Sequence, residues 1–97
     1  MAGFIQFVTI TAKPGQIQQL LKHVRAITAE VAANEPRTLK YYGAQSKDNE
    51  NVVHIWEEYD SDEALAIHRQ GKAYGEFSAN RDTLFGSDIK LDRLTPL

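Results

Sequence analysis

HIWEEYDSDEALAIH, residues 54–68, changes periodicity halfway along. Up to Tyr59 it reads as a strand, with Trp56 and Tyr59 bracketing Glu57 and Glu58; aromatic and β-branched residues suit a pleated, half-buried surface. From Asp60 the habit turns helical. Asp60 is the expected N-cap, with Glu63 three residues on, so that acids gather at the positive end of a helix dipole. The helix then runs from Ala64 to Gln70 and places His68 on the same face as Ala64 and Leu65, four and three residues earlier. A strand passing directly into a capped helix fixes one half of a β-α repeat, and the other elements can be read outward from it.

Upstream, VVHIWEEY (52–59) completes this strand and the polar KDNEN loop joins it to TLKYYGAQS (38–46), which makes a β-hairpin. FIQFVTITA (4–12) is another strand, stopped by Lys13-Pro14-Gly15. Between them, Ile17, Leu20, Leu21, Val24, Ile27 and Val31 recur at steps of three and four, the stripe of an amphipathic helix over 16–33. Asn34 and Pro36 end it. Downstream, Gly71 interrupts and a second helical piece is expected from about Lys72 to Leu84, carrying Tyr74 and Phe77. FGSD turns the chain into a last short strand, IKLDRL.

The resulting order, β-α-β-β-α-β over a single domain of residues 1–97, predicts an α+β, ferredoxin-like fold: a four-stranded antiparallel sheet with helices on one face. The strands carry a further message. Phe4, Gln6, Val8 and Ile10 share one face of the first strand, and Ile5, Phe7, Thr9 and Thr11 the other. The third strand sets Val53, Ile55, Glu57 and Tyr59 against Val52, His54, Trp56 and Glu58. A sheet with one wet face should alternate apolar with polar, yet both faces here are rich in apolar residues, and two helices cover only one. A second copy of the chain is the expected cover, hence a homodimer.

Composition excludes several functions. A formal net charge of −2 with eleven scattered Lys and Arg leaves no basic stripe for nucleic acid. The absence of cysteine removes disulfides, thiolate metal sites and a Cys nucleophile together. The start, MAGFIQFVTITAKPG, has neither a basic leader nor a long apolar run, so no membrane span and a cytoplasmic location are expected. No His-x-x-x-His, phosphate-binding Gly loop or nucleophile elbow occurs, which argues against metal, nucleotide and acyl-enzyme chemistry.

The aromatic-Glu-x-aromatic strand end (Trp56 to Tyr59), DSDEALAIH (60–68), AYGEF (73–77), TITAKPGQIQQLL (9–21) and NEPRTLKYYGAQ (34–45) together resemble the antibiotic biosynthesis monooxygenase family. The resemblance implies a dimeric α+β barrel with a pocket between helices and sheet. Proteins of this superfamily include cofactor-independent oxygenases acting on polycyclic phenols or quinols, heme-degrading enzymes, small-sugar isomerases and proteins without known activity. The second aromatic, commonly Trp, is Tyr59 here, as in some members with other roles. In the heme-degrading branch, the positions of the iron-ligating histidine and of a first-strand Asn fall near Ser78 and at Gln6, so heme degradation is not implied.

Within that frame, His68 is the candidate acid-base residue, because an imidazole exchanges protons near neutral pH. The competing reading is a histidine that caps the helix or hydrogen-bonds in the core. Glu57 shares its face with Val53, Ile55 and Tyr59, and a carboxylate there must be paired or protonated. It either supports the site together with Tyr59 or serves as a structural partner of a backbone amide or an arginine. Trp56, Tyr41, Tyr42, Tyr74 and Phe77 are candidate walls for a planar ligand, or packing. Gln6 and Thr9 are candidate substrate-orienting groups. His23 is expected to be solvated. The leading expectation is a cofactor-independent oxygenase for an aromatic or quinone-like metabolite. The alternatives are a non-catalytic dimeric binding or stress-related protein, and an isomerase of a small keto compound.

Overall fold

The structure, a computed structural model, describes residues 3–97. Strand β1 (Phe4–Thr11) leads through α1 (Ile17–Asn34) to the hairpin of β2 (Thr38–Gln45) and β3 (Val52–Tyr59). Helices α2 (Asp62–Arg69), α3 (Lys72–Ala79) and the short α4 (Arg81–Leu84) follow, then β4 (Lys90–Leu94). The sheet order is β2-β3-β1-β4 with every neighbouring pair antiparallel. That is the ferredoxin-like plan expected from the sequence.

The core lies between the sheet and α1. Leu20, Val24, Ile27 and Val31 form the helix stripe and pack on Val8, Ile10, Val53 and Ile55, with Phe77 and Leu84 closing the far side. Burying side chains of this size contributes about 1.5–3 kcal/mol each. Two glycines set the geometry. Gly15, at φ +82°, makes the turn that a side chain would strain, between β1 and α1. Gly43 on β2 lies so close under the helix that a Cβ there would sit 2.7 Å from Val24 Cγ1. A smaller cluster of Tyr59, Ala64 and Leu65, flanked by Phe4, anchors α2 to the end of β3.

Two local expectations are corrected. The N-cap of α2 is Ser61, whose hydroxyl accepts the Ala64 amide at 3.2 Å, and not Asp60. Asp60 is engaged elsewhere: Arg37 Nε donates to both of its oxygens, at 3.2 and 3.0 Å, while Arg37 also reaches Ser61 and Glu63. This half-exposed cluster ties the entry of β2 to the β3–α2 turn. The second helical piece is not continuous to Leu84. It breaks at Asn80, whose side-chain amide donates to the Glu76 carbonyl at 2.7 Å and closes the last turn of α3.

The face of the sheet away from the helices is open. Phe7 stacks on His54 at 5.5 Å between ring centroids and meets Trp56 edge-on at 6.1 Å. Thr9 Oγ1 pairs with His54 Nδ1 at 3.0 Å, and Trp56 Nε1 donates to Glu58 at 2.7 Å. Tyr42 and Leu39 extend this surface and are 66% and 58% exposed. Among the described residues, no helix is long and apolar enough to cross a membrane.

Candidate functional site

His68 ends α2 and is 2% exposed. Its burial follows from the helix repeat, which stacks it on Ala64 and Leu65 over the sheet. Nδ1 lies 2.8 Å from Glu35 Oε1, and the Thr38 hydroxyl donates to the same oxygen at 3.1 Å. Glu35 follows α1 directly and is itself buried. An ionised carboxylate only accepts, so against it Nδ1 is the donor, and in the neutral form of the imidazole Nε2 is the nitrogen left with a lone pair. The rings of Tyr41, Tyr59 and Tyr74 surround the imidazole at centroid distances of 5.3, 5.7 and 5.4 Å.

Glu57 approaches from the sheet. Its Oε1 accepts from the Tyr59 hydroxyl and from Gln6 Nε2, the latter at 3.3 Å across the β1–β3 pair where Gln6 and Glu57 stand opposite each other. Burial pushes the Glu57 carboxyl above the ordinary carboxylate range, against the opposing pull of Tyr59, His68, Gln6 and Arg69. Burial likewise, aided by the negative field of Glu57, holds the protons on Tyr59 and Tyr41 far above the usual phenol range. The phenols are therefore donors here.

These groups bound a cavity of about 730 Å³ between the sheet and the helical layer. Gln6, Tyr41, Glu57, His68 and Tyr74 line it, and Val8, Ile10, Ile55, Phe77 and Phe85 carry an apolar wall onward. No buried side-chain nitrogen or oxygen among the described residues lacks a partner. His68 Nε2 and Glu57 Oε2 have no hydrogen-bond partner among the described residues, and both residues line this hollow. An imidazole and a carboxyl raised by burial thus line one space of a size ordinary for small-molecule sites.

The structure gathers Gln6, Tyr41, Glu57, His68, Tyr74 and Phe77 at this cavity, with Tyr59 behind Glu57 as its hydrogen-bond donor. Trp56 and Thr9 are corrections. Strand alternation turns both to the open face, where Trp56 borders a separate shallow hollow of about 540 Å³ with Phe7, Tyr42 and His54. Tyr42 belongs with them. His23 is corrected too: it is half-buried, its ring 6.1 Å from that of Phe77. Sequence reasoning missed Glu35, the partner of His68, and, along the cavity, Arg69, the tail residues 85–89 and Leu91. Glu35 had one signal: an acid at a helix C-terminus opposes the dipole and needs another partner. No cluster of three or more His, Cys, Asp or Glu at metal-binding distance occurs among the described residues.

Known proteins place this geometry in context. A protein of Pseudomonas aeruginosa superposes with a TM-score of 0.90 at 27% identity, covering 100% of this chain and 96% of that one. A candidate antibiotic biosynthesis monooxygenase of Caulobacter crescentus matches with a TM-score of 0.88 at 24% identity, over 99% and 91% of the two chains. A Mycobacterium tuberculosis protein matches with a TM-score of 0.88 at 21% identity, over 99% and 96%. The last two likenesses carry the fold alone. No curated protein matches the sequence. The family described as antibiotic biosynthesis monooxygenase matches residues 3–80, a span that holds Gln6, Glu35, Tyr41, Glu57 and His68, and the chain belongs to that family.

Proposed function

We propose that this protein is a monooxygenase that works without a metal or organic cofactor on an apolar, aromatic or quinol-like substrate, with His68 as the base. The carrying observation is the buried His68–Glu35 pair, which leaves Nε2 as a lone pair facing a cavity walled by aromatic rings. Nε2 would take a proton from the phenol or its keto tautomer. The imidazolium so formed is stabilised by Glu35 at 2.8 Å. The substrate anion is electron-rich enough to reduce dioxygen directly; one oxygen atom enters the substrate and the other leaves as water with two substrate hydrogens. Gln6, Tyr41 and the Glu57–Tyr59 pair would orient the substrate oxygen by donating to it.

A second reading draws on Glu57. Its carboxyl, raised by burial, lines the same space as His68, and an acid and a base together suit keto–enol isomerisation. Oxygen electrode and heavy-water exchange measurements with an anthrone-type substrate separate the two. Oxygen uptake that falls at least about a hundredfold in His68→Ala supports the oxygenase. Proton exchange without oxygen uptake supports the isomerase, and neither signal with wild-type protein removes both. The open sheet face, with Phe7, Trp56, Tyr42 and Leu39, supports a homodimer packed through that surface.

A further inference from the structure

Arg69 stands next to His68 at the end of α2, lines the same cavity and makes no ion pair or side-chain hydrogen bond among the described residues. Arg25 is also without such a partner among the described residues, but it lies on the exposed side of α1 and does not line the cavity. Arg37 is fastened to Asp60 and Glu63, and Arg93 to Asp62 at 2.9 Å while it covers the Phe4 ring. Around the cavity, Lys13 donates to the backbone carbonyl of Asp82, and Arg81 donates to the Ser78 hydroxyl at 3.1 Å. Neither has a carboxylate partner within 4.0 Å. Asp82 and Asp88, lining the same cavity, partly offset those two. Arg69 is placed otherwise: the acid whose proton affinity it lowers is Glu57, at the end of the cavity that holds the acid-base groups.

From this placement we propose that the substrate carries a fixed anionic group, a carboxylate above all, and that Arg69 is its anchor. This deepens the proposed function and rests on reading the 730 Å³ cavity as the substrate site. A guanidinium offers two parallel N–H donors that match a carboxylate, a geometry an ammonium lacks. A guanidinium without a protein partner gives up only water on binding, whereas a paired one must also break its own contact. The apolar wall of Val8, Ile10, Ile55 and Phe77 would take the rings, and Arg69 would fix which edge of them meets His68. An arginine in a last helical turn also complements the helix dipole, but that role contributes nothing to ligand choice.

Titration calorimetry with 2-naphthoate and its neutral counterpart 2-naphthylmethanol tests the assignment at low salt. Wild-type protein is expected to bind the acid about tenfold more tightly than the alcohol, the margin of a charge-assisted pair. Arg69→Gln is expected to abolish that margin and leave alcohol binding unchanged. Arg25→Gln, on the exposed side of α1, is expected to keep it. Equal affinity of wild type for the two probes overturns the anchor, as does a preference that survives Arg69→Gln or that vanishes only in Arg81→Gln. Failure of both probes to bind overturns the cavity reading and the anchor together. Tight, Arg69-dependent naphthoate binding in a protein that consumes no oxygen sinks the oxygenase alone.

Discussion

Glu35→Ala and Glu35→Gln examine the buried pair directly. In the folded protein one Glu35 oxygen receives His68 Nδ1 at 2.8 Å and the Thr38 hydroxyl at 3.1 Å, with both ends of the pair almost fully enclosed. Alanine removes the acceptor and strands two donors inside the core, a change that costs about 3 kcal/mol or more. For a chain of this size that lowers Tm by roughly 12–24 °C. Glutamine keeps an acceptor of the same shape without its charge. The lost charge assistance is about 1 kcal/mol, or a Tm lower by roughly 4–8 °C. The same charge stabilises the imidazolium formed on proton abstraction, so Glu35→Gln should slow turnover by about tenfold. Thermal unfolding by circular dichroism reads the stability, and nitrogen-15 NMR of the His68 ring reads which nitrogen carries the proton. Wild type should show the proton on Nδ1, and Glu35→Ala should lose that preference. An alanine variant melting within about 2 °C of wild type refutes the reasoning. So does a wild-type ring protonated on Nε2 in the neutral form.

Two further outcomes concern other parts of the molecule. Glu57 holds its proton more tightly folded than unfolded, so its contribution to stability is complete below the ordinary carboxylate range and is lost as pH rises through its raised folded value. Asp60, lowered by Arg37, has the opposite sense: its contribution is present above its unfolded value and is lost as pH falls through the folded one. Denaturation midpoints should therefore decline as pH rises from the ordinary carboxylate range through the raised Glu57 value in wild type, and decline less in Glu57→Gln; equal slopes would remove the raised carboxyl. Trp56→Glu places a charge on the open sheet face and should weaken the proposed homodimer by about a hundredfold, given the usual cost of losing an interface aromatic. Light scattering should then move from dimer to monomer mass while 2-naphthylmethanol binding persists, and an unchanged dimer mass would show that this face is not the contact.

Much of the fold could be read from local pattern. The α1 stripe and the alternation along β1 and β3 depend only on backbone period, so Val8, Ile10, Val53 and Ile55 turn to the helices as written. Alternation also placed Gln6 and Glu57 on the core side, where they meet. It equally placed Trp56 on the far side, so grouping Trp56 with His68 set chemical type above geometry. The cap of α2 and the break at Asn80 were harder to read because competing partners decide them. Asp60 would suit an N-cap, but Arg37, far along the chain, claims it. Glu35 lay beyond local reasoning for the same cause: it meets His68 only after the chain has crossed the sheet and returned.

The cavity wall contains a division of labour along the chain. The residues proposed to handle protons all precede residue 80, within the family match, whereas Phe85, Gly86, Ile89 and Leu91 line the hollow from beyond it. Phe85 packs on the core and Gly86 lies against the Ala12 backbone, but Ile89 and strand β4 are exposed and β4 pairs only with β1 among the described residues, so exchanges there disturb little of the packed interior. Under the proposed function, a lineage could therefore reshape this part of the hollow by editing Ile89 and Leu91 while His68, Glu35, Glu57 and Arg69 stay untouched.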